Sequence, residues 1–151
     1  MLVPMEPGRS GQRPAEARLA DLICAVRPAD LELRFQPILL VSAPGKFALE
    51  LLLRFRPPEL AALGTEAVFQ RAHVLGIAHR LDALVLAQLQ SVQQNLRDLG
   101  ELAGLISYIA VNISGASVAT GPRLEELVAL LRGHRVDPGL FRLEITETGH
   151  G

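Results

Sequence analysis

Cysteine is nearly absent: Cys24 stands alone, so no internal disulfide can form and no cysteine-based zinc site can be built. Such usage fits a reducing, cytoplasmic setting, with Cys24 as a small, half-buried hydrophobe. An excess of one charge is missing as well. The 15 Lys+Arg stand against 16 Asp+Glu for a net charge of -1, and no basic run or face appears, which argues against a nucleic-acid partner. Lysine is confined to Lys46; every other basic residue is Arg. A membrane span is lacking too. Residues 102–122 carry no charge and have the length to cross a bilayer. Gly104, Ser107, Asn112, Ser114, Gly115, Ser117, Thr120 and Gly121 interrupt that stretch, so it reads as a buried strand followed by a loop. The first residues, 1–14, have no apolar core of signal-peptide length, and their Pro, Gly and Arg content reads as a mobile leader.

What the chain does have is 151 residues, of which 49% are hydrophobic, enough for one domain with a real core. Leu19, Leu22, Ile23 and Val26 recur at helical spacing in residues 15–26 before Pro28 stops them. We therefore expect a leader with a short lead-in helix over residues 1–28 and the domain proper over 29–151. Residues 31–41 and 46–55 are β-compatible and apolar, with Ser42-Ala43-Pro44-Gly45 as turn chemistry between them, which predicts a hairpin. Pro57 and Pro58 close that unit, and Thr65 followed by Glu66 predicts a helix start with a hydroxyl N-cap, running to about His79. Leu81, Val85, Leu89, Val92, Leu96 and Leu99 predict a second helix from about Arg80 to Gly100. A strand over residues 106–113, a helix from Gly121 to about Gly133 and a strand over 140–145 complete an α/β order with right-handed crossovers.

Alternation along these strands places Ala48, Glu50, Leu52 and Arg54 on one face, Tyr108, Ala110 and Asn112 on another strand's face, and Arg142, Glu144 and Thr146 on a third. Polar groups thus gather near strand carboxyl ends, where parallel α/β folds build ligand sites. Glu50, Asn112 and Glu144 are hard oxygen donors of the kind that suit Mg²⁺ or Mn²⁺, and Arg54 is suited to a phosphate oxygen. The alternative for the same residues is structural: Glu50 pairs with Arg54 or Arg142, and Asn112 caps the Ser114-Gly115 loop.

Five segments also carry a resemblance. Phe35-Gln36-Pro37-Ile38, Glu50-Leu51-Leu52-Leu53-Arg54-Phe55, Leu81-Asp82-Ala83-Leu84-Val85-Leu86, Val111-Asn112-Ile113-Ser114 and Leu143-Glu144-Ile145-Thr146-Glu147 resemble, in order and spacing, the motifs of the EAL family of bacterial cyclic-di-GMP phosphodiesterases. The resemblance covers about residues 31–148. It implies a (β/α)8 TIM-like barrel that starts with a β-hairpin, of which only the amino-terminal half is present, and metal-dependent hydrolysis of cyclic di-GMP to pGpG as the family activity. By the same resemblance Glu50, Asn112 and Glu144 are ligands for Mg²⁺ or Mn²⁺. Gln36, Leu52 and Arg54 contact the dinucleotide, with Arg54 on phosphate, and Glu147 steadies a later loop.

The departures are as informative. Leu51 replaces the middle Ala of the name motif, on the side of the strand away from Glu50, and His73 stands where the family has a Glu. A barrel of this type takes roughly 250 residues. The sequence holds no Asp-Asp pair to match the family's "DDFGTG" loop, and Lys46 does not stand at the position of its catalytic Lys. The expectation is a truncated domain with no meaningful turnover alone. Its partners would be cyclic di-GMP, a second copy of the chain, or another EAL or diguanylate-cyclase-type protein docked on the open strand edge.

Overall fold

The computed structural model describes the backbone of residues 9–146 and the side chains of residues 15–146. Among the described residues six helices and four strands follow in order: α1 (Arg9–Cys24), β1 (Leu31–Leu39), β2 (Phe47–Phe55), α2 (Pro58–Leu63), α3 (Thr65–Val74), α4 (Ala78–Leu86), α5 (Leu89–Arg97), β3 (Ile106–Ser114), α6 (Gly121–Gly133) and β4 (Phe141–Thr146). Short 3-10 turns occupy Pro28–Asp30, Gly100–Leu105 and Gly115–Val118. The expected hairpin is present: β1 and β2 run antiparallel, with Leu31 opposite Phe55 and Leu39 opposite Phe47. β3 then joins β2, and β4 joins β3, both parallel. The result is a four-stranded α/β sheet in the order β1-β2-β3-β4.

Strand alternation divides that sheet. Leu51, Leu53 and Phe55 of β2, Ile109, Val111 and Ile113 of β3 and Phe141 of β4 are buried in one core with Val68 and Ala72 of α3, Leu81, Val85 and Leu86 of α4 and Leu89 of α5. Each such side chain removed from water contributes roughly 1.5–3 kcal/mol, so this face supplies most of the driving force. Leu51, the residue that replaces Ala in the name motif, is 4% exposed and belongs to this core. The other face presents Glu50, Leu52, Arg54 and Asn112, of which Leu52, Arg54 and Asn112 are less buried than their neighbours in sequence. In β3 one extra residue fits between Ile106 and Ile109 opposite Phe47 and Leu49, a bulge that resets the register ahead of the site residues.

Several expectations need correction. α1 begins at Arg9, so it takes in part of the stretch read as leader, while residues 1–8 lie outside those described. Cys24 is exposed, not half-buried, because Ile23 and Val26 are the residues of this segment that turn inward. Pro58 does not end a unit but opens α2; at the first helical position its missing N–H removes no intrahelical bond. α3 stops at Val74 instead of His79. There Gly76 takes φ 75°, and Ile77 N–H reaches back to the Ala72 carbonyl at 2.9 Å, a left-handed helix stop that releases the chain into α4 at Ala78. The long second helix is two helices, α4 and α5, separated at residues 87–88 without loss of the apolar phase. Thr65 does not cap α3 either. Gly64 holds the cap position, and the Thr65 hydroxyl donates instead to the Leu53 carbonyl at 2.6 Å.

Candidate functional site

The exposed side of the sheet is ordered in rows. Gln36 lies opposite Glu50 across the hairpin, Glu50 lies beside Ala110, and Ala110 lies beside Arg142, so one row crosses all four strands. Further along β3 and β4, Asn112 lies beside Glu144. This placement brings Glu50 and Asn112 into contact, with Asn112 Nδ2 donating to Glu50 Oε1 at 3.3 Å. Asn112 therefore does not cap the loop after β3.

The structural alternative for the charges is not what the side chains do. Among the described residues the ion pairs are Arg18 with Glu59 and Arg34 with Glu32, and Glu50 takes part in neither. Arg142 stacks its guanidinium 3.7 Å from the centre of the Tyr108 ring. Arg54 donates through Nη1 to the Leu53 carbonyl at 2.9 Å. Arg54 is exposed near the end of β2, where it also lines a cavity. Leu52 is half-buried two residues on from Glu50, and Gln36 is exposed on β1. Glu144 is exposed on β4, and Glu147 lies outside the described residues.

A cavity of about 720 Å³ opens beside the carboxyl ends of β2 and β3, walled by α3 and α4. Its polar lining comes from Arg54, Thr65, Glu66, Gln70, Asp82, Asn112, Ser114 and Thr146. Glu50 and Glu144 are not among its walls; of the candidate site residues, the cavity touches Leu52, Arg54 and Asn112. Among the described residues no three His, Cys, Asp or Glu side chains gather as a metal site; Glu50 contacts the Asn112 amide, and Glu144 lies in register beside Asn112. His73 is exposed on α3 and takes no part.

One residue of the site region carries no role in the sequence reading beyond its place in a motif. Asp82 on α4 is 1% exposed, and its Oδ2 accepts from Ser114 N–H at 2.9 Å, Ser114 Oγ at 2.6 Å and Ser117 Oγ at 2.6 Å. Burial holds its carboxyl above the ordinary value of 3.8, against the lowering pull of those three hydrogen bonds and of nearby His79. The signal in the sequence was an acid inside the apolar run Leu81-Asp82-Ala83-Leu84-Val85-Leu86, a position an amphipathic helix normally fills with an apolar residue.

A family model described as the EAL domain matches residues 19–150. The chain belongs to the EAL domain family. Among solved structures, this EAL domain is similar to the EAL enzyme Bd1971 in its cGMP-bound form, with a TM-score of 0.62 at 21% identity over 95% of this chain and 39% of that one. It is also similar to the FimX EAL domain, with a TM-score of 0.61 at 22% identity over 86% of this chain and 50% of that one. The Pseudomonas aeruginosa FimX EAL domain bound to c-di-GMP gives 0.56 at 20% identity, over 86% of this chain and 49% of that one. The chain thus spans half or less of the length of these structures, and at such identity the likeness establishes the fold. The curated proteins contain no match to the chain. Among the described residues no helix is long and apolar enough to cross a membrane.

Proposed function

We propose that this EAL domain is a recognition half-site of cyclic-di-GMP signalling, which holds one side of the dinucleotide and does not hydrolyse it alone. The observation that carries the reading is the Asn112–Glu50 contact at 3.3 Å, with Glu144 in register beside Asn112 and Arg54 on the same face of β2. In this reading Arg54 offers its remaining donors to a phosphate oxygen, while Gln36 and Leu52 contact the rest of the ligand. Glu50, Asn112 and Glu144 fit a hard divalent ion such as Mg²⁺ or Mn²⁺ in kind, as two carboxylates and an amide oxygen; three protein ligands leave other positions of its shell to water or phosphate. Such an ion, when bound, would polarise the phosphodiester and activate water. The chain's own residues orient the phosphate and hold the carboxylates in place. Glu50, Asn112 and Glu144 make up ligands for one ion where two-metal phosphodiester hydrolysis uses two, which supports binding by this chain.

The test is a calorimetric titration of the purified chain with cyclic di-GMP in Ca²⁺, beside Glu50→Ala and Arg54→Ala. Saturable binding, lost in both variants, and no pGpG under Mg²⁺ or Mn²⁺ is the expected result. A well-folded chain that binds nothing refutes it, and Glu50-dependent release of pGpG would make the chain an enzyme. A second reading is favoured by the sheet order, which leaves β4 at one end with Ile145 59% exposed: the site is completed by another chain, either a second copy or another signalling protein, added at that edge. Light scattering of the purified chain at increasing concentration separates a self-completing dimer from a monomer.

A further inference from the structure

Asp82 is a buried acid to which no cation bonds among the described residues, in a position where a leucine would fill the space at less electrostatic cost. What it gains is three donors on a single oxygen, all from residues where β3 ends and the Gly115–Val118 turn begins. Ser114 is the last residue of β3, and Asn112 is two residues before it on the same strand. The end of a strand has few ladder bonds to hold it. Here the Ser114 N–H and both serine hydroxyls are held from α4, so the strand enters its turn at a set angle. Thr146 reinforces the same stretch from the other side, its hydroxyl donating to the Ile113 carbonyl at 3.1 Å.

We infer that Asp82 is a positioning residue of the candidate site: through Ser114 and Ser117 it holds the carboxyl end of β3, and thereby aims the Asn112 amide at Glu50. Its effect on ligand binding rests on the reading proposed above; its effect on Asn112 does not. A carboxylate is needed because one oxygen must accept three bonds at once. An amide oxygen in the same place accepts more weakly, and the nitrogen beside it cannot accept at all.

The experiment uses the full chain with Asp82→Asn and, as a milder second variant, Ser117→Ala. Amide exchange of residues 113–118 and the side-chain amide resonance of Asn112 are followed by nuclear magnetic resonance without ligand. Both variants should keep the fold, with exchange at residues 113–118 raised about tenfold in Asp82→Asn, unchanged exchange in α5, and a displaced Asn112 resonance. Cyclic di-GMP is then titrated in Ca²⁺ in wild-type and Asn112→Ala backgrounds. Asp82→Asn should weaken binding about tenfold in the first and add nothing in the second, a non-additivity that a general loss of stability would not produce. Two folded variants with unchanged exchange and an unmoved Asn112 resonance would overturn the inference. If the wild-type chain binds no cyclic di-GMP, the proposed function fails while the resonance and exchange data still decide the role of Asp82.

Discussion

The Leu53 carbonyl near the end of β2 accepts from two donors, Thr65 Oγ1 at 2.6 Å and Arg54 Nη1 at 2.9 Å. Thr65→Val removes the first donor at nearly constant volume, and Arg54→Met removes the second while keeping an unbranched stem. Either change alone leaves the oxygen one partner, so each should cost about 0.5–1.5 kcal/mol, the net worth of one hydrogen bond, with Arg54 at the low end because its side chain is exposed. The double variant leaves an oxygen on a residue only 9% exposed without either donor. An orphaned buried acceptor costs about 1–3 kcal/mol, so the double loss should exceed the sum of the singles by about 1 kcal/mol. Urea unfolding of all four chains measures this directly; with a slope of about 1–3 kcal/mol per molar, that coupling moves the midpoint by about 0.5 M. Additivity within about 0.3 kcal/mol would mean that water reaches the oxygen, and would refute the reasoning.

Other outcomes follow from the same structure. Because burial raises the folded-state pKa of Asp82, the folded chain keeps a proton that the unfolded chain has lost; the stability this group contributes is complete below 3.8 and is lost as pH rises through the elevated value. Urea midpoints of wild type against Asp82→Asn should therefore diverge in favour of the variant as pH rises from 3.8, with His79 the neighbouring titrating group to control by a His79→Gln background; a trend of opposite sign would show that the hydrogen bonds outweigh burial. Leu86→Ala removes a fully buried side chain between α4 and the sheet and should cost about 2–5 kcal/mol by denaturant unfolding. Cys24, being exposed, should be modified by a thiol reagent in the native state as fast as in urea, and a large protection factor would contradict the orientation of α1.

How much of this was legible in the sequence depended on what each signal measures. The hairpin and the two parallel strands were read within one or two residues, because runs such as Phe47–Phe55 and Ile106–Ser114 are β-branched or apolar and bounded by turn chemistry. The start of α6 was read correctly from Gly121-Pro122; its cap, the Thr120 hydroxyl accepting from Arg123 N–H at 3.2 Å, was not read. Periodicity failed at residues 87–88 because a tight turn there keeps Val85, Leu89, Val92 and Leu96 facing the same core, so two helices give one pattern. Pro58 misled because proline stops a helix from inside and starts one at its first position, and local composition does not distinguish the two. Among site residues, alternation alone placed Glu50, Leu52 and Arg54 on one face of their strand and Asn112 on a face of another. The contact between Glu50 and Asn112 needed the register across β2 and β3, which depends on a bulge between Ile106 and Ile109 that no residue announces. Asp82 was missed as a working residue because its three donors lie 32 and 35 positions away.

The order of strands in space is the order of strands in the chain, and that has a consequence for synthesis. Each strand, as it leaves the ribosome, finds its docking partner already made: β2 folds back on β1 across residues 40–46, β3 arrives after residues 56–105, and β4 after residues 115–140. Closing the longer crossover instead of the shorter costs only about 0.6 kcal/mol for a doubling in length, so neither step is much delayed by distance along the chain. Among the described strands, none has to wait in a gap held open for it. Assembly is therefore vectorial, with one growing edge at any moment, and a pause in translation leaves a sheet that is shorter but correctly ordered.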